Sequence, residues 1–261
     1  MSVVYENAFA IPFASPFGPG EEQPLLYAKL PDWTRHASSS PTLLPQLLPS
    51  GGPVGGIGNS LRFSLAATSA RQRAAYVNTK LGRLRGRGRF AVSLRFAPEA
   101  ERTSVAVLAR WDAGDLDAVD RCYAAELAYL PTGIVCRLRQ GPAEEGEIFL
   151  EKLLSPDFGF GLEEWMEVAL AFEVDSVGSL KLRALARPNG TIPGLPDFGI
   201  FDDVWYTIGE VGIPRHRARS VGKVGWQVIS RAGDGDVQIG HFRARTDALS
   251  SPTLLPDTIT L

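Results

Sequence analysis

Cysteine, methionine and histidine are scarce in this chain of 261 residues, with two, two and three copies. Cys122 and Cys136 are too few for a disulfide framework and lack the paired spacing of a zinc site, so they read as buried free thiols. His36, His216 and His241 fall on separate segments with no serine or cysteine nucleophile beside them, which leaves no catalytic triad to propose. No apolar run reaches the length that spans a bilayer, and membrane insertion is not expected. The opening "MSVVYENAFAIPF" lacks a basic stretch leading into an apolar one, so no signal peptide is expected and synthesis in the cytoplasm is. Lys and Arg number 27 against 29 Asp and Glu, a net charge of −2. So balanced a chain has no overall field for nucleic acid or an anionic membrane.

What the chain has in quantity is glycine (27), proline (19) and short alternating segments. "LRFSLAA" from Leu61, "GRFAVSLRFAP" through Phe90, Val92, Leu94 and Phe96, and "TSVAVLARW" into Trp111 each place apolar side chains at every second position. "YAAELAYL", "GIVCRLRQ", "GEIFLEKLL", "EWMEVALAFEV" and "LKLRALA" follow, with "VGKVGWQVIS" and "VQIGHFRART" as a closing hairpin around "RAGDGD". Period two with turn residues between segments predicts an all-β fold, a two-sheet antiparallel sandwich. Its predicted core includes Phe63, Val92, Leu94, Val107, Val168, Leu170, Leu182, Val228 and Phe242. Leu116, Val119, Tyr123 and Leu127 approximate helical spacing, which makes the segment into Leu130 the least secure of the strands. Prolines crowd residues 11–31 and 41–53; they cannot sit in central strands, so these stretches are expected to lie extended. The expected organisation is an opening strand and Pro-rich arm over 1–56, a sandwich over 57–246, and an extended tail over 247–261.

The order of segments resembles the concanavalin A-like (laminin-G-like) jelly roll, particularly the stand-alone versions in phage and phage-like particle proteins. The residues carrying the resemblance are an opening aromatic and acidic strand ("VYENAF", Tyr5–Phe9), an early tryptophan ("DWT", Asp32–Thr34), a Trp-led middle strand ("EWMEVALAFEV") and a Gly-rich closing pair ("GKVGWQV", "VQIGHFRA"). It spans roughly residues 3–246. The resemblance implies that the first strand pairs with the last, setting Tyr5–Phe9 beside Ile239–Ala244.

Candidate sites are few. Retaining jelly-roll glycoside hydrolases need two carboxylates on one face, and in "LEEWMEV" Glu163, Trp165 and Glu167 share a face. Trp165 replaces the middle acid and Glu164 points the other way, so none of the three glutamates is assigned a catalytic role and Glu167 is expected on a solvated strand face. No cofactor is expected apart from calcium, for which Asp112, Asp115 and Asp117 are the candidate ligands, with Asp234 and Asp236 as a second acidic turn. "GGPVGGIGNS" precedes a strand, so it lacks the helix N-terminus of a phosphate cradle. Arg83, Arg85, Arg87 and Arg89 share one parity and form a candidate basic patch, suited to an acidic protein neighbour better than to nucleic acid.

The phrase "SSPTLLP" occurs at 39–45 and again at 250–256. Thr42, Leu43, Leu44 and Pro45 recur as Thr253, Leu254, Leu255 and Pro256, without any wider echo of strand patterns that a duplicated domain would leave. Both copies are read as extended docking peptides for subunits of a larger assembly. The functional expectation is a non-enzymatic structural or adhesion component of a virion or phage-like particle. A lectin-like module binding a surface glycan is the alternative, and a glycoside hydrolase comes third.

Overall fold

In the computed structural model the described residues are 2–7, 23–24, 30, 32–48, 53, 59–67, 70–79, 81, 87–111, 122–141, 146–188, 205–215, 217, 222–231, 233–247 and 258–260. They form strands β1 (Ser2–Asn7), β2 (Gln23–Pro24), β3 (Trp33–Arg35), β4 (Gln46–Leu48), β5 (Ser60–Leu65), β6 (Arg71–Asn78), β7 (Arg87–Phe96), β8 (Thr103–Trp111) and β9 (Tyr123–Leu130). The series continues with β10 (Gly133–Gln140), β11 (Ile148–Leu153), β12 (Met166–Val174), β13 (Leu180–Pro188), β14 (Trp205–Ile213), β15 (Lys223–Arg231), β16 (Gly235–Asp247) and β17 (Thr258–Thr260). Among the described residues the helical content is one 3₁₀ turn at Pro156–Phe158.

Two sheets result. One has ten strands in the order β17-β14-β13-β12-β7-β16-β5-β4-β2, with β1 pairing on β16; the other has seven, β11-β10-β9-β8-β15-β6-β3. Every pair is antiparallel except β14 with β17. β1 lies against β16 with Tyr5 opposite Ala244 and Asn7 opposite Phe242, the first-to-last pairing that the resemblance implies. Proline-bearing β2 sits at a sheet edge, where a missing backbone donor breaks no ladder.

The alternating positions decide which face each sheet turns inward. All nine predicted core residues, from Phe63 to Phe242, are fully buried, and Cys136 and Tyr76 join them. Trp226 is the centre of the packing: Tyr76 stacks on it at 4.5 Å between ring centroids, and Phe63 and Trp33 meet it edge-on. Tyr123 and Leu127 belong to β9 and face the core, so that part of the segment is strand; Leu116 and Val119 lie outside the described residues. β6 and β14 escaped the alternating pattern and are strands nonetheless. Gly209, at the irregularity between β13 and β14, lets the sheets approach at one edge, since a Cβ there would lie 2.5 Å from Leu150 Cδ1.

Candidate functional site

Each sheet also has an outward face, and both carry charged networks. On the ten-stranded sheet, Glu167 of β12 stands opposite Ser93 of β7 and Arg187 of β13. Its carboxylate accepts hydrogen bonds from Ser93 Oγ (2.8 Å), Arg187 Nε and Arg243 Nη2. Burial alone would raise the Glu167 pKa, but Arg243, Arg187 and the Ser93 hydroxyl outweigh it and hold the group down to about 2. Arg187 also stacks over Trp205 at 4.6 Å, and Arg89 approaches the same ring at 5.3 Å. Trp205 is buried with Ala91, Ala169, Ala171 and Leu185 in a small apolar cluster of its own.

This corrects one expectation. Glu167 is 2% exposed rather than solvated, because the outer face of this sheet is itself covered at Glu167. An acid held ionised by two guanidinium groups cannot donate a proton near neutral pH. Glu163 and Glu164 are exposed in the turn ahead of β12, apart from Glu167.

The outward face of the seven-stranded sheet is different in kind. Its strand registers align Ala75, Gln227, Ala106, Glu126, Arg137 and Glu151 in one row across β6, β15, β8, β9, β10 and β11. The adjoining row runs Arg73, Ile229, Ser104, Ala128 and Val135. Between the arginines at the two ends lie Ala106, Ser104 and Ala128 together with Gln227, Glu126 and Ile229, all of them buried, so the middle of this face is covered as well. Gln227, fully buried, accepts from Arg73 Nε at 3.2 Å. Glu126, also fully buried, accepts from Arg137 and Arg139, each at 3.3 Å. Arg137 donates further to exposed Glu151, and its side chain remains 15% exposed. Arg71 and Arg73 are half-buried and Arg231, directly opposite Arg71, is exposed. Desolvation, and then the neighbouring Arg71, lower the Arg73 pKa to about 10. At about 4.8 Å per strand, Arg73 and Arg137 stand about 19 Å apart. Each is oriented by a buried acceptor, the arrangement that preorganises a binding group.

The residues singled out in the sequence are not brought together in this way. Leu43 is 1% exposed within the main core, Pro45 is buried and Leu44 is 43% exposed. Of the paired leucines in the first copy, only Leu44 faces solvent. Thr253, Leu254, Leu255 and Pro256 lie outside the described residues, as do Arg83, Arg85, Asp112, Asp115 and Asp117. Arg87 pairs with Glu173 at 2.6 Å and Arg89 packs on Trp205, so both are engaged inside the fold. Asp236 lies 3.6 Å from Arg62, and Asp234 Oδ1 caps the Gly235 amide. Among the described residues no group of three or more His, Cys, Asp or Glu could hold a metal ion, and the acids of this turn do not fit a calcium site. Both cysteines are free and buried. No helix among the described residues is long and apolar enough to cross a membrane. Sequence reading missed Arg71 and Arg73 altogether; the available signal was the alternation of "RQR" running into "AAYV".

No protein-family model matches the sequence, and no curated protein does. Solved structures match the fold. The exoplasmic/lumenal domain of VIP36 in its Ca2+/Man2-bound form aligns with a TM-score of 0.51 and 9% identity, over 86% of this chain and 84% of that one. The globular domain of T. cruzi calreticulin aligns with a TM-score of 0.51 and 8% identity, over 88% of each. The chain has a concanavalin A-like jelly-roll sandwich fold.

Proposed function

We propose that the protein is a non-enzymatic, lectin-like module that binds a glycan on the outer face of its seven-stranded sheet. The observation that carries this reading is the pair of arginine stations on the outer face, Arg73 and Arg137, each oriented by a buried acceptor, Gln227 and Glu126. The residues between the stations are covered, so the sugar would be met at the ends, where the partly exposed Arg73 and Arg137 are fixed donors suited to hydroxyl oxygens. The mannose-bound VIP36 domain supports the reading by its shared fold. The non-enzymatic part is supported by Glu167, whose ionised state Arg187 and Arg243 hold, so that it is no general acid.

The test is retention of the purified chain on a panel of immobilised glycans, with Arg137→Gln in parallel. Retention by at least one glycan, weakened in the variant while the melting temperature holds, is expected. Turnover of any panel member would contradict the non-enzymatic part.

A place in a virion or phage-like particle is a second reading, and the observation favouring it is Leu44, exposed on a segment otherwise anchored by buried Leu43 and Pro45. On this reading the module is held to neighbouring subunits through Leu44 and the second copy of the phrase, and presents its glycan face outward.

A further inference from the structure

One corner of the sandwich gathers exposed cations that no acid of the protein takes up. It is built where the turn from β12 to β13, Asp175–Ser179, meets the chain leaving β14 at Pro214. The register that sets Leu180 opposite Ile213 continues beyond the strand ends, so the stem of Arg215 lies along the turn: a Cβ at Gly178 would stand 3.1 Å from Arg215 Cδ. Gly178 has a φ of +85°, which glycine adopts without steric cost. Arg217 follows within one tight turn, its amide donating to the Pro214 carbonyl at 2.9 Å. Lys181 stands near the start of β13, opposite Gly212. Lys181, Arg215 and Arg217 are all exposed, and none of the three makes an ion pair among the described residues.

The acids of this corner are already engaged. Glu173 pairs with Arg87 at 2.6 Å, Glu210 pairs with Arg183, and Asp175 Oδ1 accepts from the amides of Val177 and Ser179. The three exposed cations are therefore a local excess in a chain whose net charge is −2. In the same turn Val177 is 64% exposed, more than any other large hydrophobic among the described residues. Lys181 also borders a hollow of about 170 Å³, with Ala171, Phe172, Glu173 and Arg183, which gives an incoming side chain a seat next to an ammonium group.

We propose that this corner docks an acidic segment of a partner protein, one whose carboxylates flank an apolar side chain. It shares no residue with the outer face of the seven-stranded sheet, so it is independent of the glycan reading. Unpaired cations on one patch attract an acidic partner and speed its encounter. Each exposed charge contributes little alone, but three together select the sign of the partner. Val177 selects its class. A lone exposed valine is ordinary; one set beside unpaired cations is covered only by a partner that carries apolar groups. An anionic polysaccharide or a nucleic-acid backbone would satisfy the charges and leave Val177 in water, whereas a protein segment supplies both contacts.

The experiment follows the fluorescence anisotropy of a short labelled peptide, aspartates and glutamates around one leucine, titrated with the full chain. The same peptide with asparagine and glutamine in place of the acids is run in parallel, as is labelled polygalacturonate. Expected is binding of the acidic peptide that weakens with salt and is lost in the amide version. Combining Lys181→Gln, Arg215→Gln and Arg217→Gln should weaken it about tenfold or more, the joint effect of three modest contributions. Val177→Ser should weaken it several-fold through lost apolar burial. All four positions are exposed, so melting temperatures should hold, and retention on the glycan panel should match the parent's. Equal binding of the acidic and amide peptides, parent-like binding by the triple variant, or no binding of the acidic peptide overturns the proposal. Polygalacturonate bound more tightly than the peptide, and lost in the triple variant, overturns it too and gives the corner to an anionic polymer. The glycan reading falls separately, by loss of retention on the panel.

Discussion

Glu167 of β12 and Arg243 of β16 form an ion pair across β7, the strand between them, while Ser93 of β7 donates to the same carboxylate from below. Three neighbouring strands are thus tied on the outer side of the sheet, opposite the apolar core. With Arg187 as the fourth member, the buried carboxylate is met by two guanidinium groups and a hydroxyl, the condition under which a buried acid is tolerated.

That network makes stability depend on acid. The Glu167 pKa is lowered from 4.5 to about 2 in the folded protein, so the folded state binds the proton less readily than the unfolded one. Its contribution is complete above the unfolded value and is lost as pH falls from about 5 towards 2. Glu167→Gln should cost about 3–5 kcal/mol at neutral pH, since it leaves two guanidinium groups without their carboxylate. Urea unfolding between pH 7 and pH 2 checks both: the parent should lose stability on acidification more steeply than the variant.

The two leucines of the first repeat should separate cleanly. Leu43→Asp buries a charge in the main core and should unfold the protein or cost upwards of about 4 kcal/mol, whereas Leu44→Asp should change stability by less than about 0.5 kcal/mol. Thermal melts of both variants check this. On the particle reading, Leu44→Asp keeps the fold and loses co-assembly with neighbouring subunits.

Gly233→Ala should destabilise by about 1–3 kcal/mol, the usual cost of overpacking. A Cβ at this position would lie 2.7 Å from the Glu101 carbonyl oxygen, Ser230 Oγ and Thr103 Oγ1, where Thr103 and Ser230 share a buried hydrogen bond of 3.0 Å. Chemical denaturation gives the figure; an unchanged midpoint would show that the turn relaxes freely.

How much of this was legible in the sequence varies with the element. "EWMEVALAFEV" gives its inward residues Val168, Leu170 and Phe172 by alternation alone, and the Gly-rich closing pair is equally clear. β6 was not, because Ala74, Ala75, Tyr76 and Val77 are all buried and a strand covered on both faces has no alternation to show. The same physics hid Glu167: a single-strand pattern says which residues share a face, not whether a second layer covers it. The pair of arginine stations was illegible for another reason. Arg73, Gln227 and Arg137 are far apart in sequence and meet only through strand register, which no local spacing encodes. The repeated phrase was legible as text, but its first copy contributes Leu43 to the core, a role that repetition does not reveal.

The most direct test of the glycan-binding face is backbone hydrogen–deuterium exchange of the full chain with and without oligomers of polygalacturonate and mannan. Added protection concentrated on 71–77, 104–108, 124–128, 135–139 and 225–231, with exchange around Ser93, Glu167 and Trp205 unchanged, is the predicted result. Protection centred on the Glu167 face instead, or none with either oligomer, would contradict it.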